Sequence, residues 1–454
     1  MGMVMKDLRE QLAAKGVHTL MAQFTDLHGA SRGTFVPLAH LDDLLADGIG
    51  FSGASIAGSG LPRTGPRSEY WARGAASTAT ALPWLPGYAR IACDGFVAGE
   101  AFEACPRQVL RRQVARLASL GWTIRTGIEP EFFLLKRVDG RLQPADDADR
   151  LDQPRYDLKS LPRQREFLLA LQRALEACGL DVLQLDHEDA QGQYEVIFGF
   201  DEVLASADHL MLFKQAAHAL AEERGMVFSM MPKPFAGQSG SGMHFNVSLW
   251  QGHGSNARNL FVPHLADGSV DQVNALSPQG QQFAAGVLAH AAGLCALAAP
   301  TVNSYKRLVP GSLVSGSSWA PSWVAHGRDN RSAMLRTLHG RFEWRLPDAS
   351  SNPYLASAAL IAAGLDGIER QLALPAAVDE DLHAMSATEL TERGIALLPQ
   401  TLCEALRALQ GDRVLTGALG PLLSAQFVAL KQAEFDEHAR HVSDWELLRY
   451  ASAF

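Results

Sequence analysis

Ile128-Glu129-Pro130-Glu131-Phe132-Phe133 places two carboxylates two residues apart among apolar neighbours. In a β-strand such residues project from one face. Adjacent like charges repel, so a polar or cationic partner must compensate them. Pro130 removes a ladder donor, which puts this stretch at a sheet edge or an interruption. LDHEDAQGQYEVIF sets Glu188 before a Gly-centred turn and Glu195 at the start of a strand. GSGSGMHFNVSL carries His244 into a strand after a Gly-rich loop, and RFEWRLPD puts Glu343 and Arg345 on one strand face. Taken singly, these are a solvated acidic face, a core histidine and a surface ion pair. Taken together they are five carboxylates and one imidazole, a donor set that suits Mg²⁺ or Mn²⁺ and not zinc. Two metals sharing six such side chains is a sensible count for phosphoryl transfer.

The cations supply the other half. Arg307, Arg331, Arg336, Arg341 and Arg345 cluster around short strands. Arginine forks bind carboxylates and phosphates bidentately and stabilise charge on a transferred phosphoryl group. No GxxxxGK[ST] loop is present, and GSGSGM does not match GxGxxG, so Walker and Rossmann nucleotide binding are disfavoured. Between the cationic clusters runs LVPGSLVSGSSWAPSWVAHGRDNR, whose glycines and serines permit a flap that closes over the site.

The elements that must position these residues follow from pattern. A short helix is expected over Lys6–Lys15, then a hairpin turning at His28-Gly29, then a loop-rich stretch over 48–90. RIACDGFVAGEAFEACPRQ reads as a strand pair turning at Asp94-Gly95, and RQVLRRQVARLASLG as a helix closed by Gly121. Strands TIRTGIEPEFFLL, YEVIFGF, MHFNVSL and RFEWRLP then alternate with long helices, including one over Phe283–Ala299. The fold class is α+β, with a domain boundary near residue 104 separating 1–104 from 105–454.

Bulk composition limits the alternatives. The chain has 454 residues, 47% hydrophobic and 20% charged, with net charge −9. That balance carries no footprint for nucleic acid. Five dispersed cysteines without a CxxC pair argue against a disulfide framework or zinc site. No apolar run reaches about 18 residues, so no membrane partner is expected and the expected location is cytoplasmic.

The set EPEF, HEDAQGQYE, GSGMHF, PTVNSYKRL, NRSAMLR and FEWRLPDASSNPYL resembles the glutamine synthetase superfamily over nearly the whole chain. SGSSWAP, PWLPGYARIACD and HVSDWE resemble its bacterial type III branch, which includes glutamate–methylamine ligases. The resemblance implies a small N-terminal β-grasp domain and a large catalytic domain built on an antiparallel sheet funnel. It further implies double hexameric rings with active sites shared between subunits. It makes Glu131, Glu188 and Glu195 ligands of a first metal, and Glu129, His244 and Glu343 ligands of a second. Two or three Mg²⁺ or Mn²⁺ ions per site are implied, with ATP as co-substrate. Gly240, Arg307 and Arg345 match glutamate-binding positions; Arg331 and Arg336 match arginines on the transferred phosphoryl group and ADP. Phe200, Ser248 and Arg341 match the nucleotide pocket. Arg307, Arg331 and Arg336 are the expected catalytic cations. The implied reaction is two-step: ATP converts L-glutamate to γ-glutamyl phosphate, and an amine displaces phosphate.

Departures from the family pattern point to the acceptor. Ammonia-using members place an aspartate where this chain has Ser52, and a flap glutamate where it has Trp319. Losing both acids removes attraction for ammonium and adds apolar surface. A small alkylamine, methylamine first, is therefore expected as acceptor, with Glu69 a candidate base. An aromatic amine, a polyamine, ethanolamine or ammonia are the competing acceptors, and a non-enzymatic scaffold is a remote alternative. Asn246 stands where a phosphate-facing histidine is usual, and can donate a hydrogen bond but not carry charge. His383 replaces the tyrosine modified in adenylylated relatives.

Overall fold

The computed structural model describes residues 2–252, 254–311 and 319–454. The first layer is a sheet built on β1 (Thr19–Thr25), β2 (Ser31–Pro37), β3 (Ile49–Ser52), β4 (Glu69–Gly74) and β5 (Tyr88–Val97), in the order β2-β1-β5-β4-β3. β1 and β2 form the expected hairpin, while β1 and β5 lie parallel, Thr19 opposite Tyr88. The expected turn at Asp94-Gly95 is absent. β5 runs straight through these residues and reverses at Ala98 and Gly99, both at positive φ. Asp94 stays in the strand because its carboxylate is claimed by two arginines.

Those arginines lie on the helix Pro106–Ser119, which carries the chain away from the first sheet. Arg107 Nη1 donates to Asp94 Oδ1 at 2.7 Å, and its Nε and Nη2 fork onto Asp208 at 2.9 and 2.8 Å. Tyr354 donates to the same Asp208 Oδ1 at 2.7 Å, and Arg111 reaches Asp94 Oδ2 at 2.8 Å. The Arg107 guanidinium and its carboxylates are buried. Asn352 adds a second tie by donating to the Asp26 carbonyl while capping the helix Pro353–Glu369.

The second sheet frames the site. Its main path uses β6 (Trp122–Val138), β7 (Val182–His187), β8 (Gln193–Phe198), β9 (Met243–Gln251), β10 (His326–Arg328), β11 (Leu335–Leu338) and β12 (Arg341–Trp344), ordered β7-β8-β6-β9-β12-β11-β10. All neighbours are antiparallel except β10 and β11. Pro130 sits within β6 at an interruption, as its chemistry requires. The Glu131 amide donates to the Gly242 carbonyl of the β9 side, so the Pro130 nitrogen points towards β8, whose ladder stops at Glu131.

Behind the sheet, the almost wholly buried helix Pro353–Glu369 lies against the helix Pro278–Ala289. Glycines allow the approach: a Cβ on Gly286 would meet the Ala363 carbonyl oxygen at 2.1 Å. The single helix expected over 283–299 is two, Pro278–Ala289 and Ala291–Ala298, meeting at 75°. His290 stands at the break with its ring between Asp412 (2.6 Å) and Asp366 (3.0 Å); Arg370 also contacts Asp366. Burial alone would depress this histidine, but the two carboxylates raise its pKa.

Replacing Arg107 by Met leaves buried Asp208 with no cation and Asp94 with Arg111 alone, which costs about 3–5 kcal/mol. A lowered urea midpoint, only partly recovered by Arg107→Lys, is the expected result. An unchanged midpoint would remove this network from the link between the sheets.

Candidate active site

The face of β6, β9 and β12 that opens into the cleft is set by alternation. Along β9, His244, Asn246, Ser248 and Trp250 share one side; opposite them on β6 lie Glu129, Gly127, Arg125 and Thr123 in register. On the other flank Glu343 of β12 faces Asn246. β8 brings Glu195 opposite Glu131, and the turn before it carries Glu188. Strand spacing near 4.8 Å therefore forces these acids together.

All six metal-ligand candidates line one cleft, as do Gly240, Arg307, Trp319, Arg331, Arg336 and Arg345. Two subsets have donor atoms within 4.8 Å of one another: Glu129, His244 and Glu343, and Glu131, Glu195 and His244. Each has the size and chemistry to hold a hard divalent cation. The second differs from the expected trio, because Glu188 is turned to Arg155 at 3.1 Å. A Cβ on Gly242 would lie 2.8 Å from His244 Nε2 and 2.9 Å from Arg307 Nη2, so a side chain here would push both out of place. The Gly242 amide donates to Glu131 Oε2 at 2.7 Å, an oxygen also bonded by Gln193.

Electrostatically the cleft has two sides. Burial and the neighbouring Glu131 push the Glu188 carboxyl up to about 8 despite Arg155. Burial and then Glu188 and Glu131 raise Glu195 far above the ordinary carboxylate range. Burial would raise Glu343 too, but Arg345, His244 and Arg336 hold it at about 2. Arg336 donates to Glu343 Oε2 at 3.0 Å and to Asp329 at 3.0 Å, while Arg345 bonds the other Glu343 oxygen. Arg345 also donates to the carbonyls of Arg331 (3.0 Å) and Trp319 (3.2 Å). Arg307 is fixed by the carbonyls of Leu346 and Arg345.

A second tier runs outward along β9. Asn246 donates to Glu129 Oε1 at 2.7 Å and accepts from Arg341 Nε at 3.1 Å. Ser248 accepts from Trp250 Nε1 at 2.8 Å, and Phe200 lies stacked beside Trp250 with ring centroids 6.2 Å apart. Arg125 sits 4.3 Å over the Trp250 ring. These side chains make a flat, cationic platform adjoining the carboxylate cluster.

Ser52 and Glu69 do not line the cleft of their own chain; they face each other across β3 and β4 of the first sheet. Residues 312–318, which hold most of the expected flap, lie outside the described residues. Trp319 is described at the cleft wall, 46% exposed, 5.9 Å from the Arg155 guanidinium. Sequence reasoning missed Arg155, Asp186, Asp189 and Gln193, all of which line the cleft. Asp186 and Gln193 were legible in principle: Asp186 lies opposite Glu195, and Gln193 two residues before it, where strand alternation puts it on the same face. Arg155 sits on an irregular loop and carries no pattern.

The raised carboxyls make metal binding proton-linked. Glu188 and Glu195 bind protons more tightly folded than unfolded, so their contribution to metal-free stability falls as pH rises from about 4.5 towards 8. A divalent cation displaces those protons. The stabilisation by Mn²⁺ is expected to grow between pH 6 and pH 8, with proton release seen by titration calorimetry in buffers of different ionisation enthalpy. Glu195→Gln should abolish most of the pH dependence; a flat profile for the unsubstituted protein would contradict the charge assignment.

Comparison with known proteins agrees with this geometry. Residues 103–450 match the family described as glutamine synthetase, catalytic domain. The chain is 45% identical over 448 residues to a glutamate–methylamine ligase of Methyloversatilis universalis, covering 99% of each. It is 36% identical over 441 residues to a glutamine synthetase of Rhizobium leguminosarum bv. phaseoli, covering 97% of this chain and 98% of that one. A solved structure of a GmaS–ADP complex superposes with a TM-score of 0.89 at 35% identity, covering 98% and 99% of the two chains. The chain belongs to the glutamine synthetase family.

Proposed function

We propose that this protein is an ATP-dependent ligase that joins the γ-carboxyl group of L-glutamate to a small primary amine, releasing ADP and phosphate. The observation that carries this reading is the cleft itself, with a buried acid–imidazole cluster on one side and Arg307, Arg331, Arg336 and Arg345 on the other. Full-length similarity to a glutamate–methylamine ligase supports the amide-forming chemistry.

Glu131, Glu188 and Glu195 on one side, and Glu129, His244 and Glu343 on the other, are the residues that would hold Mg²⁺ or Mn²⁺. The clustering of two carboxyls that hold protons beside a compensated, ionised one fits such cations. When bound, the cations neutralise phosphate oxygens and lower the cost of bringing ATP to an anionic carboxylate. Arg307 and Arg345 orient glutamate; Arg331 and Arg336 draw off charge from the transferred phosphoryl group. The γ-carboxylate oxygen attacks the terminal phosphorus of ATP, and ADP leaves. The amine nitrogen then attacks the acyl carbon, and phosphate leaves with the former carboxylate oxygen. Phe200, Ser248, Trp250 and Arg341 form the nucleotide side.

On the acceptor side, Trp319 supplies an apolar wall, and Asp186 supplies the carboxylate that Ser52 and Trp319 do not. Asp186 draws in an alkylammonium, fixes it by hydrogen bonding and accepts the proton the nitrogen must lose before it can attack; the second N–H proton leaves with phosphate. Methylamine or another short alkylamine is the acceptor on this reading. Ser52 and Glu69 would enter the site from a neighbouring subunit, because the first sheet holds them away from their own cleft. A double hexameric ring, a β-grasp domain over 1–104, a catalytic domain over 105–454 and a cytoplasmic location complete the proposal. The central parallel pair of the first sheet supports the β-grasp assignment. Adenylylation is not part of it: His383 replaces the tyrosine, and its ring nitrogen contacts the Ala320 carbonyl at 3.2 Å.

Amine-dependent phosphate release across ammonia, methylamine, ethylamine, ethanolamine, putrescine and aniline tests the acceptor. Methylamine is expected to give the highest kcat/KM, with ammonia at least about tenfold lower, the scale on which one methyl group is read in an apolar pocket. Trp319→Glu should narrow that gap, and Asp186→Asn should raise the KM for the amine while leaving that for ATP in place. An ammonia optimum would overturn the alkylamine assignment, and an unchanged amine profile for both variants would remove these residues from the pocket.

A further inference from the structure

Asn246 occupies the middle of the three-strand face, opposite Gly127 on β6 and Glu343 on β12. It is the position where the carboxylate cluster meets the arginine of the nucleotide side. Its two amide functions point opposite ways: Nδ2 donates to Glu129 Oε1 at 2.7 Å, and Oδ1 accepts from Arg341 Nε at 3.1 Å. Glu129 and Asn246 are diagonal neighbours across the β6–β9 ladder, a spacing long side chains bridge. Gly127 stands beside them and presents no side chain to interfere; the nearest side-chain atom of Asn246 is 3.8 Å from where its Cβ would lie.

An uncharged group is what these two neighbours demand, and the amide supplies one. A carboxylate could accept from Arg341 but would meet Glu129 and Glu343 as a third like charge. A cationic side chain could donate to Glu129 but would repel Arg341. Only a neutral group with a donor at one end and an acceptor at the other satisfies both neighbours at once. The bond to Glu129 engages Oε1, while Glu129 Oε2 faces His244 at 3.8 Å. The amide therefore fixes which carboxylate oxygen is turned to the metal-ligand trio. Arg341 is exposed, and Asn246 is the side chain that holds it on the cleft face.

We propose that Asn246 is a positioning residue that couples the divalent-cation site to the nucleotide arginine, so that orienting Glu129 and orienting Arg341 are one event. This rests on the reading of Arg341 as nucleotide-facing. It goes further by making a residue with no charge of its own responsible for the register between cation and nucleotide.

The test is a double-mutant cycle using Asn246→Leu, which keeps the branched shape and removes both hydrogen bonds, and Arg341→Met. ADP affinity is measured by calorimetry with Mn²⁺ present, and Mn²⁺ affinity separately by paramagnetic resonance without nucleotide. Each single variant is expected to weaken ADP binding about tenfold, the scale of one hydrogen bond to a charged group. The double variant should bind ADP as weakly as either single one, because both remove the same coupling. Mn²⁺ affinity should fall in Asn246→Leu and, by a smaller factor, in Arg341→Met, because the coupling is reciprocal. Additive losses of ADP affinity, or unchanged Mn²⁺ binding in Asn246→Leu, would overturn the coupling. Asn246→Gln, which keeps both polarities, should recover part of the loss, and a denaturation midpoint near that of the parent separates positioning from misfolding. Absence of ADP binding in the unsubstituted protein would instead sink the nucleotide reading itself.

Discussion

Like charge held together by a β-ladder is the constraint on which this structure depends. Glu195 and the pair Glu129 and Glu131 occupy neighbouring strands, and Glu343 lies one strand further on beyond His244, so the ladder holds their carboxyls within reach of one another. Left in water, such groups would move apart; fixed by register, they must be neutralised by protons, arginines or bound cations. The cleft uses the first two in different places. Glu343 is held by Arg336 and Arg345 and stays ionised, while Glu188 and Glu195 keep protons that a cation displaces. The site is thus built unequal before any ligand arrives, one side compensated and one side waiting for charge.

Holding that inequality requires stiffness behind the strands. The helix Pro353–Glu369 is packed against a glycine-lined partner helix and against the helix Pro106–Ser119, and its cap reaches the first sheet through Asn352. Arg107 binds Asp94 of the first sheet and Asp208 of a catalytic-domain helix with one guanidinium. A displacement between the two sheets would expose three buried charges, so the first sheet keeps a fixed position relative to the cleft. That matters for an architecture whose acceptor residues Ser52 and Glu69 sit on the first sheet and are proposed to serve another subunit's cleft.

What the sequence makes legible divides along physical lines. Glu129 and Glu131 could be placed on one face because strand alternation has period two and does not depend on distant context. The proline between them announced its own interruption. His244 and Glu343 followed from the same rule. The turn in RIACDGF was misplaced because Asp-Gly favours a turn locally, whereas Arg107 and Arg111, more than ten residues away, hold Asp94 in the strand. The break at His290 was hidden for a related reason: Asp366 and Asp412 approach it only after folding. Arg155 was invisible because an irregular loop has no period to read. Asn246 was noticed as a departure, but its two-way bonding depends on the register of three strands, which no single stretch of sequence contains.

On the proposed reading, the acceptor side changes substrate without changing the sheet. Ammonium is small and uniformly charged, so acids on loops around it suffice, since attraction from any direction serves. An alkylammonium has a charged end and an apolar end, and needs an acid and an apolar wall at fixed relative positions. Asp186 meets the first need from β7, where pairing with Glu195 fixes its height above the cluster. Trp319 meets the second from the cleft wall, its carbonyl tied to Arg345 and its ring beside Arg155. The carbonyl tie links the wall to the same arginine that compensates Glu343, so the apolar surface is set by the charge pattern beneath it. Substrate choice on the proposed reading follows from an acid on β7 of the second sheet in place of one at the Ser52 position of the first, and from an indole in place of another acid. The phosphoryl-transfer half of the cleft is left as the ladder of carboxylates requires.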